Sequence, residues 1–96
     1  MTLGERLRAR RAEILRVAKA HGASNVRVFG SVSRGAATAA SDVDLLVALG
    51  PRRSLLDQAA LQQELEDLLG CTVDLVVEGG ISPYLERQIL AEARPL

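Results

Sequence analysis

Two short aliphatic runs, Val43–Leu49 and Thr72–Val77, flank a stretch that reads as one helix, and this arrangement limits the fold more than any other feature of the chain. Gly50-Pro51 closes the first run. Ser54, with Asp57 three residues on, then has N-cap chemistry, and Leu61, Leu65, Leu68 and Leu69 form an apolar stripe up to Gly70. A path of about 20 residues between two strands is long enough for a parallel crossover. The two strands are expected side by side in one sheet.

The remaining segments fit around that unit. Thr2 and Glu5, at capping-box spacing, open a helix whose Leu3, Leu7, Ile14, Leu15 and Ala18 lie on roughly one face before Gly22 stops it. Its other face, with Arg6, Arg8, Arg10, Arg11 and Arg16 set against Glu5 and Glu13, reads as solvated. Asn25 to Phe29 is β-prone and alternating, and ends at Gly30-Ser31. Ser31 to Ser41 is small-residue sequence without apolar periodicity, which suggests a turn or one short helix and then a surface loop. Ser82-Pro83 starts a last helix with Leu85, Ile89 and Ala93 on one side. No repeat or linker divides the chain. Residues 1–96 are therefore read as one α/β (α+β) domain of order α-β-α-β-α-β-α, with a small mixed three-stranded sheet and helices packed on one face.

Composition removes several function classes. Phe29 and Tyr84 are the only aromatics, so the core must be aliphatic and platforms for stacking nucleic-acid bases are missing. Twelve basic and twelve acidic residues cancel, so the whole protein has no net attraction for a phosphate polymer and direct nucleic-acid binding is not expected. Any recognition of phosphate must be local. A single cysteine, Cys71, and a single histidine, His21, cannot build an intramolecular disulfide or a Cys/His zinc cage, which suits a reducing compartment. No apolar stretch approaches the roughly 20 residues that cross a bilayer, and the N-terminus runs straight into charged sequence. A cytoplasmic protein without membrane association is the expectation.

Chemistry concentrates in the carboxylates. Three of the five aspartates, Asp42, Asp44 and Asp74, fall on the polar parity of otherwise aliphatic strands. Strand interiors disfavour Asp and neighbouring carboxylates repel, so this pattern costs stability unless a cation sits among them. Clustered carboxylates without His or Cys make a hard, all-oxygen site that suits Mg²⁺ or Mn²⁺ better than zinc or copper. Gly30-Ser31 ends the first strand, where glycine lets backbone approach a phosphate and the N–H groups and hydroxyl beyond it can donate to anionic oxygens. Arg34 follows closely and either contacts a bound phosphate or, as the favoured reading, braces the loop through a carboxylate. There is no G-x-x-x-x-G-K-[ST], and Lys19 in the first helix is the sole lysine, which excludes a P-loop NTPase.

Gly30-Ser31, ten intervening residues and Asp42-Val43-Asp44 reproduce a GS-x10-DxD signature, and the fuller run GSVSRGAATAASDVDLLV resembles the minimal nucleotidyltransferases of the DNA polymerase β superfamily. The later VDLVV strand places Asp74 where that family carries its third carboxylate. The resemblance implies that Gly30 and Ser31 hold the β- and γ-phosphates of a nucleoside triphosphate, with Arg34 at a common but less defined family position. It also implies that Asp42, Asp44 and Asp74 bind two Mg²⁺ ions and catalyse transfer of a nucleoside monophosphate to a hydroxyl. ATP as donor, and an acceptor on a HEPN-domain partner within a toxin-antitoxin pair, are what the resemblance implies for substrates. The alternative is a non-catalytic module that neutralises a partner by contact alone.

Overall fold

In the computed structural model, which describes residues 2–35 and 42–96, the elements run α1 (Leu3–Ala9), α2 (Arg11–Ala20), β1 (Ala23–Phe29), α3 (Gly30–Ser33), β2 (Val43–Leu49), α4 (Leu55–Leu69), β3 (Val73–Val77), α5 (Pro83–Glu92) and β4 (Arg94–Pro95). The sheet order is β3-β2-β1-β4, with β2 and β3 parallel and the other two pairs antiparallel. The parallel crossover through α4 is as expected. The sheet, however, has four strands rather than three. β4 is two residues long and lies on the outer edge of β1, where Pro95 leaves no ladder bond broken because an edge position does not require its N–H.

The first predicted helix is also two. Arg10, at φ −103° and ψ 11°, is at once the C-cap of α1 and the N-cap of α2, and its guanidinium turns back onto Glu13 at 3.2 Å. β1 starts two residues earlier than the expected Asn25. It carries an irregularity between Ser24 and Arg27, where Asn25 takes φ +52°, a conformation Asn tolerates better than other side chains. Of the Ser31–Ser41 segment, the short helix is found as α3, and residues 36–41 lie outside the described part.

The core explains the layering. Leu3, Leu7, Ile14 and Ala18 from α1 and α2, and Leu61, Leu65 and Leu69 from α4, pack against Val43, Leu45 and Val47 of β2 and Val73 and Leu75 of β3. Every residue of that core is aliphatic, and no buried position among the described residues is polar or charged. α5 contributes no buried side chain; it links β3 at one edge of the sheet to β4 at the other. Across the helices, His21 Nε2 lies 3.3 Å from Glu64 and so ties the end of α2 to α4, a structural post rather than a catalytic one.

Candidate active site

Strand parity decides what the sheet offers on its second face. With Val43, Leu45 and Val47 directed into the core, Asp44 and Leu46 face the other way, as do Asp74 and Val76 of β3. The parallel register sets Asp44 directly beside Asp74, and the antiparallel register on the other flank sets Asp44 opposite Phe29, the residue before Gly30. Adjacent strands are roughly 4.8 Å apart, so side chains at paired positions are neighbours. Asp42 precedes β2 by one residue, exposed like Asp74, while Asp44 is half-buried. The topology thus brings together Asp44, Asp74 and the Gly30 turn from segments far apart in sequence.

Electrostatics mark Asp44 as the centre of the group. Burial, then the charges of Asp74 and Asp42, push its carboxyl above the usual range, a hydrogen bond with Asp74 adds to the rise, and the positive charge of Arg34 opposes it. The donor set, carboxylate oxygens alone, fits a hard divalent ion such as Mg²⁺ and gives no purchase for a softer one. Among the described residues, no three acidic, His or Cys side chains are already drawn into ligand geometry. Asp42, Asp44 and Asp74 therefore act on one another without converging on one point.

Gly30 is required twice over. Its φ of +73° lies in the left-handed region, and a Cβ at this position would collide with Asp44 Oδ2. Backbone and carboxylate are in direct apposition, which no other residue allows. Ser31 follows, half-buried, in the first turn of α3. Arg34, the C-cap of α3, places Nη1 2.6 Å from Glu92 Oε1 in the last turn of α5, and the Ser33 hydroxyl donates to the Glu92 carbonyl at 2.7 Å. Arg34 thus makes a contact to a carboxylate of the kind that would brace the loop, and its partner, Glu92, carries no sequence motif that would single it out.

The sequence model of the nucleotidyltransferase domain family matches residues 11–96. The protein adenylyltransferase MntA of Thermococcus cleftensis is 41% identical over 71 residues, 74% of this chain and 72% of the relative. A solved structure described as a minimal nucleotidyltransferase superimposes with a TM-score of 0.89 at 55% identity, covering 100% of this chain and 97% of that one. The fold is shared as well with a chain of the complex between the tri-AMPylated HEPN toxin and the MNT antitoxin of Shewanella oneidensis, at a TM-score of 0.71, 21% identity and coverage of 92% and 69%. A glycine turn against an aspartate on one strand, a second aspartate beside it on the next, and a family match over most of the length lead to one assignment: this chain belongs to the nucleotidyltransferase family, as an enzyme of the minimal kind.

Proposed function

We propose that the protein transfers AMP from ATP, with Mg²⁺, to a hydroxyl group on a HEPN-domain partner, and so serves as the antitoxin of a toxin-antitoxin pair. The observation that carries this reading is the in-register pairing of Asp44 with Asp74 beside the Gly30 backbone. The Gly30-Ser31 turn takes the β- and γ-phosphates on its backbone N–H groups and the Ser31 hydroxyl, and Arg34 adds positive charge at the rim. Asp42 and Asp44 would hold both ions, and Asp74 the one nearer the acceptor. Two divalent ions so held supply charge neutralisation at the attacking and leaving oxygens. The acceptor oxygen forms its bond to the α-phosphorus as the bond to the bridging oxygen breaks and pyrophosphate leaves. The Asp74 carboxylate takes the hydroxyl proton. The likeness to a protein adenylyltransferase and to a HEPN-bound antitoxin fold supports the choice of donor and partner.

The test is identification of the neighbouring gene's product, followed by incubation of both proteins with labelled ATP and Mg²⁺. Label should appear on the partner. Asp74→Ala should retain most triphosphate binding and lose transfer, because its contribution is made mainly in the transition state. Transfer at the normal rate by that variant removes Asp74 from the mechanism, and neutralisation of the partner without label returns the contact-only alternative.

A further inference from the structure

α3 is four residues long and has no side-chain cap at its start, too short to hold its own shape, since an isolated turn of helix is unfavourable in water. Its anchorage comes from the far end of the chain. The Glu92 carboxylate takes Arg34 Nη1 at 2.6 Å and the Glu92 carbonyl takes the Ser33 hydroxyl at 2.7 Å, so one residue grips two consecutive positions just beyond the Gly30-Ser31 turn. Two residues later the same segment pairs with β1 through Arg94 and Pro95, the strand from which the turn springs. The turn is held between its own strand and the end of α5.

Glu92 stands where a helix on its own would not place it. It is the last residue of α5, where a carboxylate meets the partial negative charge of the unpaired carbonyls and destabilises the helix. Its gain must lie elsewhere, and Arg34 is where its carboxylate goes. We infer that Glu92 is a positioning residue for nucleotide binding: it fixes the Arg34 guanidinium and the α3 backbone so that the Gly30-Ser31 turn is preformed for a triphosphate. This inference rests on the proposed function. It adds to it a residue outside the GS-x10-DxD signature, on the last helix.

The experiment measures binding of the non-hydrolysable ATP analogue AMP-PNP with Mg²⁺, together with backbone amide exchange, in the wild-type chain, Glu92→Ala and Glu92→Gln. Glu92→Ala should weaken the analogue about fivefold, the scale of one lost charge-assisted hydrogen bond. Amide exchange should speed up at Gly30–Arg34 while β2 is unchanged. Glu92→Gln, which keeps an acceptor oxygen for Arg34, should recover part of both. The melting temperature of Glu92→Ala should not fall, because the exposed ion pair and the relieved helix terminus nearly offset. Analogue binding and α3 exchange both equal to wild type would overturn the inference and leave the proposed function standing. A lowered melting temperature with affinity intact would make Glu92 a merely structural residue. A wild-type chain that binds no analogue at all overturns the proposed function itself, and this positioning role with it.

Discussion

α4 and α3 are built on opposite terms. α4 runs for 15 residues, with the Ser54 hydroxyl accepting from Leu56 N–H at its start and Asp57 accepting from Ser54 N–H, and with Gly70 in the left-handed conformation at its end. Leu61, Leu65 and Leu69 seat it in the core. Each part of its stability is local to it. α3 has four residues, none fully buried, begins on a glycine in a conformation costly for other residues, and is held from Glu92 and by contact with Asp44. The comparison separates the part of the domain that folds it from the part to which chemistry is proposed, and local rules fail where the candidate site is.

The sharpest challenge to that separation is Asp44→Asn. Transfer should fall by at least about 10²-fold, the scale expected when charge stabilisation worth several kcal/mol is lost. Stability should rise. The folded-state pKa of Asp44 is raised, so its ionisation opposes folding once the pH climbs above the unfolded value of 3.8. The gain from Asn should therefore be present at neutral pH and vanish in acid, as urea melts at both pH values can show. A destabilised variant at neutral pH would mean that Asp44 is structural.

Leu65→Ala is the converse case. The side chain is fully buried in α4, and truncation should cost about 2–5 kcal/mol in a denaturant melt while nucleotide affinity of the folded fraction holds. Gly30→Ala should break the comparison, because it injures both functions. A Cβ at positive φ costs about 1–2 kcal/mol and in addition displaces Asp44, so both the melt and the transfer assay should register it. The smallest effect is expected from Ser54→Ala, about 1 kcal/mol for a lost N-cap, with transfer unchanged. The partner in that capping box, Asp57, has its carboxyl lowered chiefly by the Ser54 N–H. Ser54→Ala keeps that N–H, so the Asp57 contribution, present above the unfolded value of 3.8 and lost as the pH falls through the folded one, should decline in parallel in wild type and variant.

How much of this the residues themselves revealed depends on the range of the determining interaction. The crossover, the strands bearing Asp44 and Asp74, and the capped α4 follow from period, parity and turn chemistry, all local. The break at Arg10 left no trace, because Leu3, Leu7, Ile14 and Ala18 stay in phase across it and hydrophobic period is blind to one off-helix residue. β4 is two residues long, too short for alternation to exist. Asn25 enters a left-handed conformation inside β1 that the β-prone run around it gave no reason to expect. At the site, Gly30, Ser31, Asp42 and Asp44 are legible because their spacing is a signature, and Asp74 through the polar parity of its strand, but Glu92 touches Arg34 only through the tertiary fold. Its one local sign was a carboxylate at the wrong end of a helix.

The wholly aliphatic core has a practical consequence for anyone measuring these effects. Tyr84 is 71% exposed, Phe29 lies at the site rather than in the core, and the chain has no tryptophan, so the unfolding transition has almost no aromatic reporter. Intrinsic fluorescence and near-ultraviolet dichroism will be nearly silent, and a collapsed state with native helices but loosened packing would look the same as the native one by those probes. Methyl resonances of Leu45, Leu46, Leu61 and Leu65, all fully buried, are the natural reporters of a packed interior in this domain.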